Sequence, residues 1–176
     1  LTVKFRALDV LDSYKLDHRR QYPDGITRVY SNWTPRKSWV PGVEKVVFFG
    51  LQAFLKDLNE AFNEFFNSDI DELCAEYEEN TTAIVGPNDI GSDHIRALHK
   101  LGYLPLEFRA LPEGTEVPVK VPMFTVENTH DDFFWLVNYL ETWLSAELWL
   151  PCTSATTAKN FRNMLERHAI ESSGST

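Results

Sequence analysis

Tyr14, His18, Gln21 and Tyr22 follow one another at steps of four, three and one residues, a spacing that lines them along one face of a helix. A face turned toward a core would carry Leu, Ile or Val. A face of Tyr, His, Gln and Tyr is either an interface or the wall of a polar site. Asp12, Ser13 and Lys15 crowd into the same three turns. Downstream, Arg36 stands beside Lys37 in a loop. Such a pair is most often a solvated basic loop, and its chemical alternative is phosphate contact through the guanidinium fork.

A second group is Thr125-Val-Glu-Asn-Thr129, where a strand gives way to a helix. Turn and cap chemistry is the favoured reading, with Asn128 or Thr129 satisfying the first N–H groups of that helix. Glu141, Thr142 and Ser145 interrupt an apolar helix and need partners unless they face solvent. His94 and His99 are five residues apart, which does not align two ligands on one helix face, and His18, His130 and His168 are scattered. No metal site is expected from spacing. The eight glycines form no phosphate-cradling loop. Ser13, Ser31 and Ser154 lack the setting of an activated nucleophile.

The elements that must position these groups read as follows. Residues 1–11 are expected to be extended, and Asp12 to cap a helix over 13–22. Pro23-Asp-Gly25 makes a turn, and 27–33 alternates as a strand. Residues 35–42 form a loop. Helices are predicted over 43–66, 70–82 and 93–100, with Asp69, Asp71 and Glu72 at the start of the second and Gly102 closing the third. Short strands fit 104–110, 115–119 and 122–127, between Pro112-Glu-Gly114 and the prolines at 118 and 122. A helix apolar over much of its circumference covers 131–149 and stops at Pro151. A last helix, capped by Thr153 or Ser154, covers 154–170 with Ala158, Phe161, Leu165 and Ala169 on one face. The class is α+β, mostly helical, with a small mixed or antiparallel sheet.

The 176 residues suit one domain or slightly more. With 17 Lys and Arg against 26 Asp and Glu, the net charge is −9. Nucleic acid and anionic membrane are therefore not expected as partners, because they need a basic face. A local basic site for a phosphorylated small molecule remains allowed. Five Trp, six Tyr and twelve Phe require a real core or a large interface, which excludes global disorder. Cys74 and Cys152 are too few for a disulfide framework or a four-cysteine metal site. No apolar run is long enough to cross a membrane, and Leu1-Thr-Val-Lys-Phe-Arg6 lacks the make-up of a signal peptide. The expected location is cytoplasmic.

Residue strings carry the reading further. Asp12-Ser-Tyr-Lys15, His18, Gln21-Tyr-Pro23, Val29-Tyr-Ser31 and Arg36 resemble the N-terminus of nicotinamide phosphoribosyltransferases. So do Val47-Phe-Phe-Gly-Leu-Gln52, Leu104-Pro-Leu, Pro112-Glu-Gly114 and Val117-Pro118. Phe124-Thr-Val-Glu-Asn-Thr129, Trp135-Leu-Val-Asn-Tyr-Leu-Glu-Thr142, Leu148-Trp-Leu-Pro151 and Ala155-Thr156 continue the series in the same order. The match runs from about residue 8 to the end. Nicotinate phosphoribosyltransferases share the Asp-x-Tyr start, but the Gln-Tyr-Pro and Glu-Asn-Thr strings resemble the nicotinamide branch.

The resemblance implies the N-terminal part of a type II phosphoribosyltransferase. The implied reaction is nicotinamide plus phosphoribosyl pyrophosphate to nicotinamide mononucleotide and pyrophosphate, on the salvage route to NAD. Mg²⁺ would accompany the pyrophosphate, and ATP would be a possible activator. Family members are homodimers with sites at the subunit interface. Carried over, Tyr14 would stack on the nicotinamide ring of the partner's site, Asp12 would lie near the carboxamide, and Arg36 would approach the phosphates. Family chains are considerably longer. The phosphorylated histidine, the opposite stacking aromatic, the residue that selects amide over acid, the main phosphate loops and the Mg²⁺ ligands would all lie outside these residues. The chain is thus expected to be an N-terminal portion, with no catalytic residue and no metal ligand of its own. A nicotinate-type enzyme and a non-catalytic dimerisation or regulatory remnant are the alternatives.

Overall fold

The computed structural model describes residues 7–174. About 53% of the molecule is helical, beside small sheets, so it is α+β. In chain order the elements are α1 (Lys15–His18), β1 (Tyr30–Trp33), β2 (Lys45–Val47), α2 (Leu51–Asn67), α3 (Ile70–Val85) and α4 (Asp93–Leu101). There follow β3 (Leu106–Ala110), β4 (Glu116–Pro118), β5 (Phe124–Asn128), α5 (Leu136–Tyr139) and α6 (Glu141–Ser173). One sheet has the order β1-β5-β3, and β2 pairs with β4 in a second. The chain divides into two compact units.

The first unit takes residues up to Ser31, then Gln52–Phe108 and Val126–Leu144. Its helices follow from periodicity and caps. In α2, Phe54, Leu58, Phe62 and Phe65 are buried at three- and four-residue steps, each aromatic or leucine side chain contributing roughly 1.5–3 kcal/mol. Phe54 meets the Trp143 ring edge-on at 5.5 Å. Asp69 caps α3 by accepting the amides of Asp71 and Glu72 at 2.8 and 3.1 Å. Gly102 closes α4 in the left-handed conformation. Behind α4, Trp135 lies edge-on to both His94 and Tyr139, at 5.0 and 5.2 Å.

The second unit takes Asn32–Leu51, Arg109–Thr125 and the chain from Ser145 onward. β2 and β4 are antiparallel, with Val46 opposite Val117. Phe48 extends the ladder, donating to the Thr115 carbonyl and accepting from Gly114 at 2.9 and 2.8 Å. Trp33 stacks on Phe124 at 5.4 Å and packs against Trp149 at 3.9 Å. Its indole N–H donates to the Ser145 hydroxyl. Phe48, Val117, Met123 and Leu148 fill the interior of this unit.

Several expectations are corrected. Residues 7–10 turn instead of extending, and residues 1–6 of that prediction lie outside the described residues. The predicted helix over 43–66 is strand β2 followed by α2. Gly50, at φ +104°, breaks the pattern between them. Residues 131–149 are not one helix. A 3₁₀ turn over Asp131–Phe133 and the short α5 precede α6. Pro151 does not end a helix, since α6 runs through it to Ser173. Thr153 is therefore no cap, and its hydroxyl donates back to the Trp149 carbonyl at 2.8 Å. Asp12 offers no side-chain cap either. Its carbonyl accepts the Lys15 amide at 2.9 Å.

Candidate functional site

Asp12, Tyr14 and Lys15 enter α1, while Glu141 and Thr142 open α6, all within the first unit. Lys15 is 3% exposed, and its ammonium pairs with Glu141 and donates to Thr142 Oγ1 at 2.7 Å. Thr142 Oγ1 in turn donates to Asp12 Oδ2 at 2.8 Å and accepts the Asp12 amide at 3.3 Å. The Tyr14 hydroxyl donates to the same carboxylate oxygen at 3.3 Å, and Lys15 Nζ lies 3.5 Å from it. The Thr142 hydrogen bond above all, with the nearby Lys15 charge, holds the Asp12 carboxyl below the usual carboxylate range against a smaller opposing effect of burial. Asp12 is an ionised acceptor at neutral pH.

Tyr14 is 56% exposed. Its ring meets His18 edge-on at 5.0 Å, and the Lys15 ammonium lies 5.8 Å from its centroid. A large aromatic left in solvent beside a fixed carboxylate gives a stacking surface and a hydrogen-bond acceptor for a flat ligand with an N–H group. Of the expected face, Tyr14 and Gln21 are exposed, whereas His18 and Tyr22 are half-buried. Tyr22 accepts the Asn138 amide at 2.5 Å and meets Phe134 edge-on at 5.1 Å, so its role is packing.

Arg36 belongs to the second unit. It is exposed, in the loop after β1, and the preceding Pro35 carbonyl accepts the Lys120 amide at 2.6 Å. Lys37 folds over the Trp39 ring at 3.7 Å, a cation–π contact.

The Asn128 side chain, read from spacing as a candidate cap, does something else. Asn128 Oδ1 accepts the Val29 amide at 2.8 Å, and its NH₂ donates to the carbonyls of Thr27 and His130 at 2.8 and 3.0 Å. The following turn is capped by His130 Nδ1, which accepts the Asp132 amide at 3.3 Å. Glu127, buried, pairs with Arg28. The partners foreseen for Glu141 and Thr142 prove to be Lys15 and Asp12, some 130 residues upstream. No local pattern signals that pairing.

Among the described residues no three His, Cys, Asp or Glu side chains are grouped to hold a metal ion. Among the same residues, no helix is long and apolar enough to cross a membrane.

An α+β fold of this kind is also found in a solved phosphoribosyltransferase. The human nicotinic acid phosphoribosyltransferase crystal structure matches 84% of this chain and 27% of its own, with a TM-score of 0.59. At 20% identity that likeness is one of fold. Residues 7–107 match the sequence profile described as the nicotinamide phosphoribosyltransferase N-terminal domain, and the chain belongs to that family. Relatives named nicotinamide phosphoribosyltransferase include one from Acinetobacter baylyi, 44% identical over 99% of this chain, and one from Mycoplasma genitalium, 31% identical over 99%. The chain spans 36% and 42% of their respective lengths.

Proposed function

We propose that this chain is the N-terminal portion of a nicotinamide phosphoribosyltransferase and lends substrate-binding groups to its site. The complete polypeptide would transfer ribose 5-phosphate from phosphoribosyl pyrophosphate to nicotinamide, releasing pyrophosphate. The observation that carries this reading is the exposed Tyr14 ring beside an ionised, fixed Asp12. A carboxylate only accepts hydrogen bonds, so it suits the carboxamide N–H and repels the carboxylate of nicotinate. The ring supplies the stacking surface for the base. Exposed Arg36 would meet the phosphates. Mg²⁺ would enter with the pyrophosphate, ATP would act on groups outside this chain, and the protein would be a cytoplasmic homodimer in which Asp12, Tyr14 and Arg36 serve the neighbouring subunit.

The test compares the complete gene product with the 176-residue chain, each given nicotinamide or nicotinate, phosphoribosyl pyrophosphate and Mg²⁺. The expected result is nicotinamide mononucleotide from the complete product only. Turnover of nicotinate in preference to nicotinamide, or product from the 176-residue chain alone, would overturn the reading. A complete product of about this length and no activity would favour a non-catalytic dimerisation module.

A further inference from the structure

A hydroxyl has one proton to give and two lone pairs to accept with. Thr142 uses all three: the proton goes to Asp12 Oδ2, and the lone pairs take Lys15 Nζ and the Asp12 amide. Its rotor is left with one setting. That setting fixes the Asp12 carboxylate at the same oxygen to which the Tyr14 hydroxyl donates. Lys15 is locked in turn, because a buried ammonium must keep its acceptors, and Glu141 and Thr142 are the ones at hand.

Resting on the function proposed above, we propose that Thr142 and Lys15 are positioning residues. They orient the Asp12 carboxylate, and through it Tyr14, toward a planar carboxamide ligand, while Glu141 holds Lys15. Neither touches the ligand. Their effect is to prepay the orientation of the acceptor that does. A purely structural cross-link would not need to end on an exposed tyrosine. The low range in which Asp12 titrates is consistent with the same hydrogen bond.

The experiment uses the complete polypeptide with Thr142→Val, Thr142→Ala and Thr142→Ser. Val keeps the shape and loses the hydroxyl, Ala avoids overpacking, and Ser restores the donor. Val and Ala should raise the nicotinamide KM about tenfold, the scale of a lost hydrogen bond to a charged group. The phosphoribosyl pyrophosphate KM should stay within about twofold. The acidic limb of kcat/KM should move to higher pH, because Asp12 loses its main proton donor. Ser should recover most of both effects. Lower melting temperatures with unchanged nicotinamide KM and unchanged acidic limb would make the network merely structural and overturn the proposal. So would failure of both Val and Ala to fold. A wild-type polypeptide that does not use nicotinamide overturns the functional reading itself, and this inference with it. That outcome is recognised before any variant is made.

Discussion

At Tyr14, stacking and folding make opposite demands, so the two can be separated. A ring that is 56% exposed contributes little to the interior. Tyr14→Phe keeps the ring and should retain much of the complete enzyme's activity. Tyr14→Ala should raise the nicotinamide KM several-fold, since a stacked aromatic is worth roughly 0.5–1.5 kcal/mol beyond its buried area. The melting temperature should change little. An unfolded Tyr14→Ala protein whose surviving fraction keeps a normal KM would make Tyr14 a core residue. His94 behaves differently. It is buried against Trp135, and its ring Nε2 lies 3.3 Å from the Tyr77 hydroxyl. Burial, with a smaller effect of Arg19, pushes its pKa down to about 3. A depressed histidine leaves the unfolded chain to bind the extra proton. Stability is therefore full above the ordinary value of about 6.5 and falls as pH drops toward the folded value, at up to about 1.4 kcal/mol per pH unit. Urea midpoints at pH 7 and pH 5 should show a drop of about 2 kcal/mol in the wild type that His94→Phe largely removes. An equal drop in both proteins would assign the effect to other groups.

Among the elements, the junction between β2 and α2 depends on one glycine. Gly50 takes φ +104°, and a Cβ there would lie 2.8 Å from Pro151 Cβ and 3.0 Å from its Cγ. Gly42, at φ +78°, has open space around it. Ala at position 42 should thus cost only the backbone strain, about 1–2 kcal/mol. Ala at position 50 should cost measurably more, through strain and clash together. Denaturant unfolding of the two variants measures the difference, and equal losses would remove the clash with Pro151 from the account. This junction also shows where the sequence stops being legible. Val43, Val47, Leu51 and Phe54 fit a helical step, and periodicity cannot see that β2 is drawn off by Glu116–Pro118 some 70 residues later. Pro151 reads as a terminator for the same reason. Its ring lies against Gly50, a tertiary contact that the local sequence does not show. Amphipathic stripes and local end signals, such as the acidic start of α3 and Gly102 after α4, depend on near neighbours and were readable. Tyr14 and Asp12 could be picked out from residue type. The clamp of Thr142 and Lys15 could not, because its partners are distant in sequence and unremarkable in type.

For the molecule as a whole, the composition asks what the aromatic and aliphatic surplus covers. Part of it covers nothing among the described residues. Beyond Pro151, α6 leaves Phe161, Leu165 and Ile170 exposed, with Leu165 at 65% and Met164 partly so. Contiguous apolar surface of this kind drives self-association. Sedimentation of the 176-residue chain should show dimers or larger species at high concentration. Phe161→Lys and Leu165→Lys together should return it toward monomer without lowering the melting temperature. A wild-type chain that stays monomeric throughout would show that the stripe is tolerated in water.

Asn128 has a consequence measured in time. Its three hydrogen bonds join residues 27, 29 and 130 to one side chain, and two of them close loops of about a hundred residues. Loop closure of that length costs entropy before any contact repays it. The stretch from Tyr22 to Val29 carries almost no backbone ladder of its own, only the Ile26 amide on the Pro23 carbonyl. Its ties run instead to β5 and α5, through Val29 on Asn128, Arg28 on Glu127 and Tyr22 on Asn138. The Val29 amide then reports on that clasp: the rate at which its proton exchanges with solvent water measures how often Asn128 is released, a local opening that needs less than unfolding of the whole.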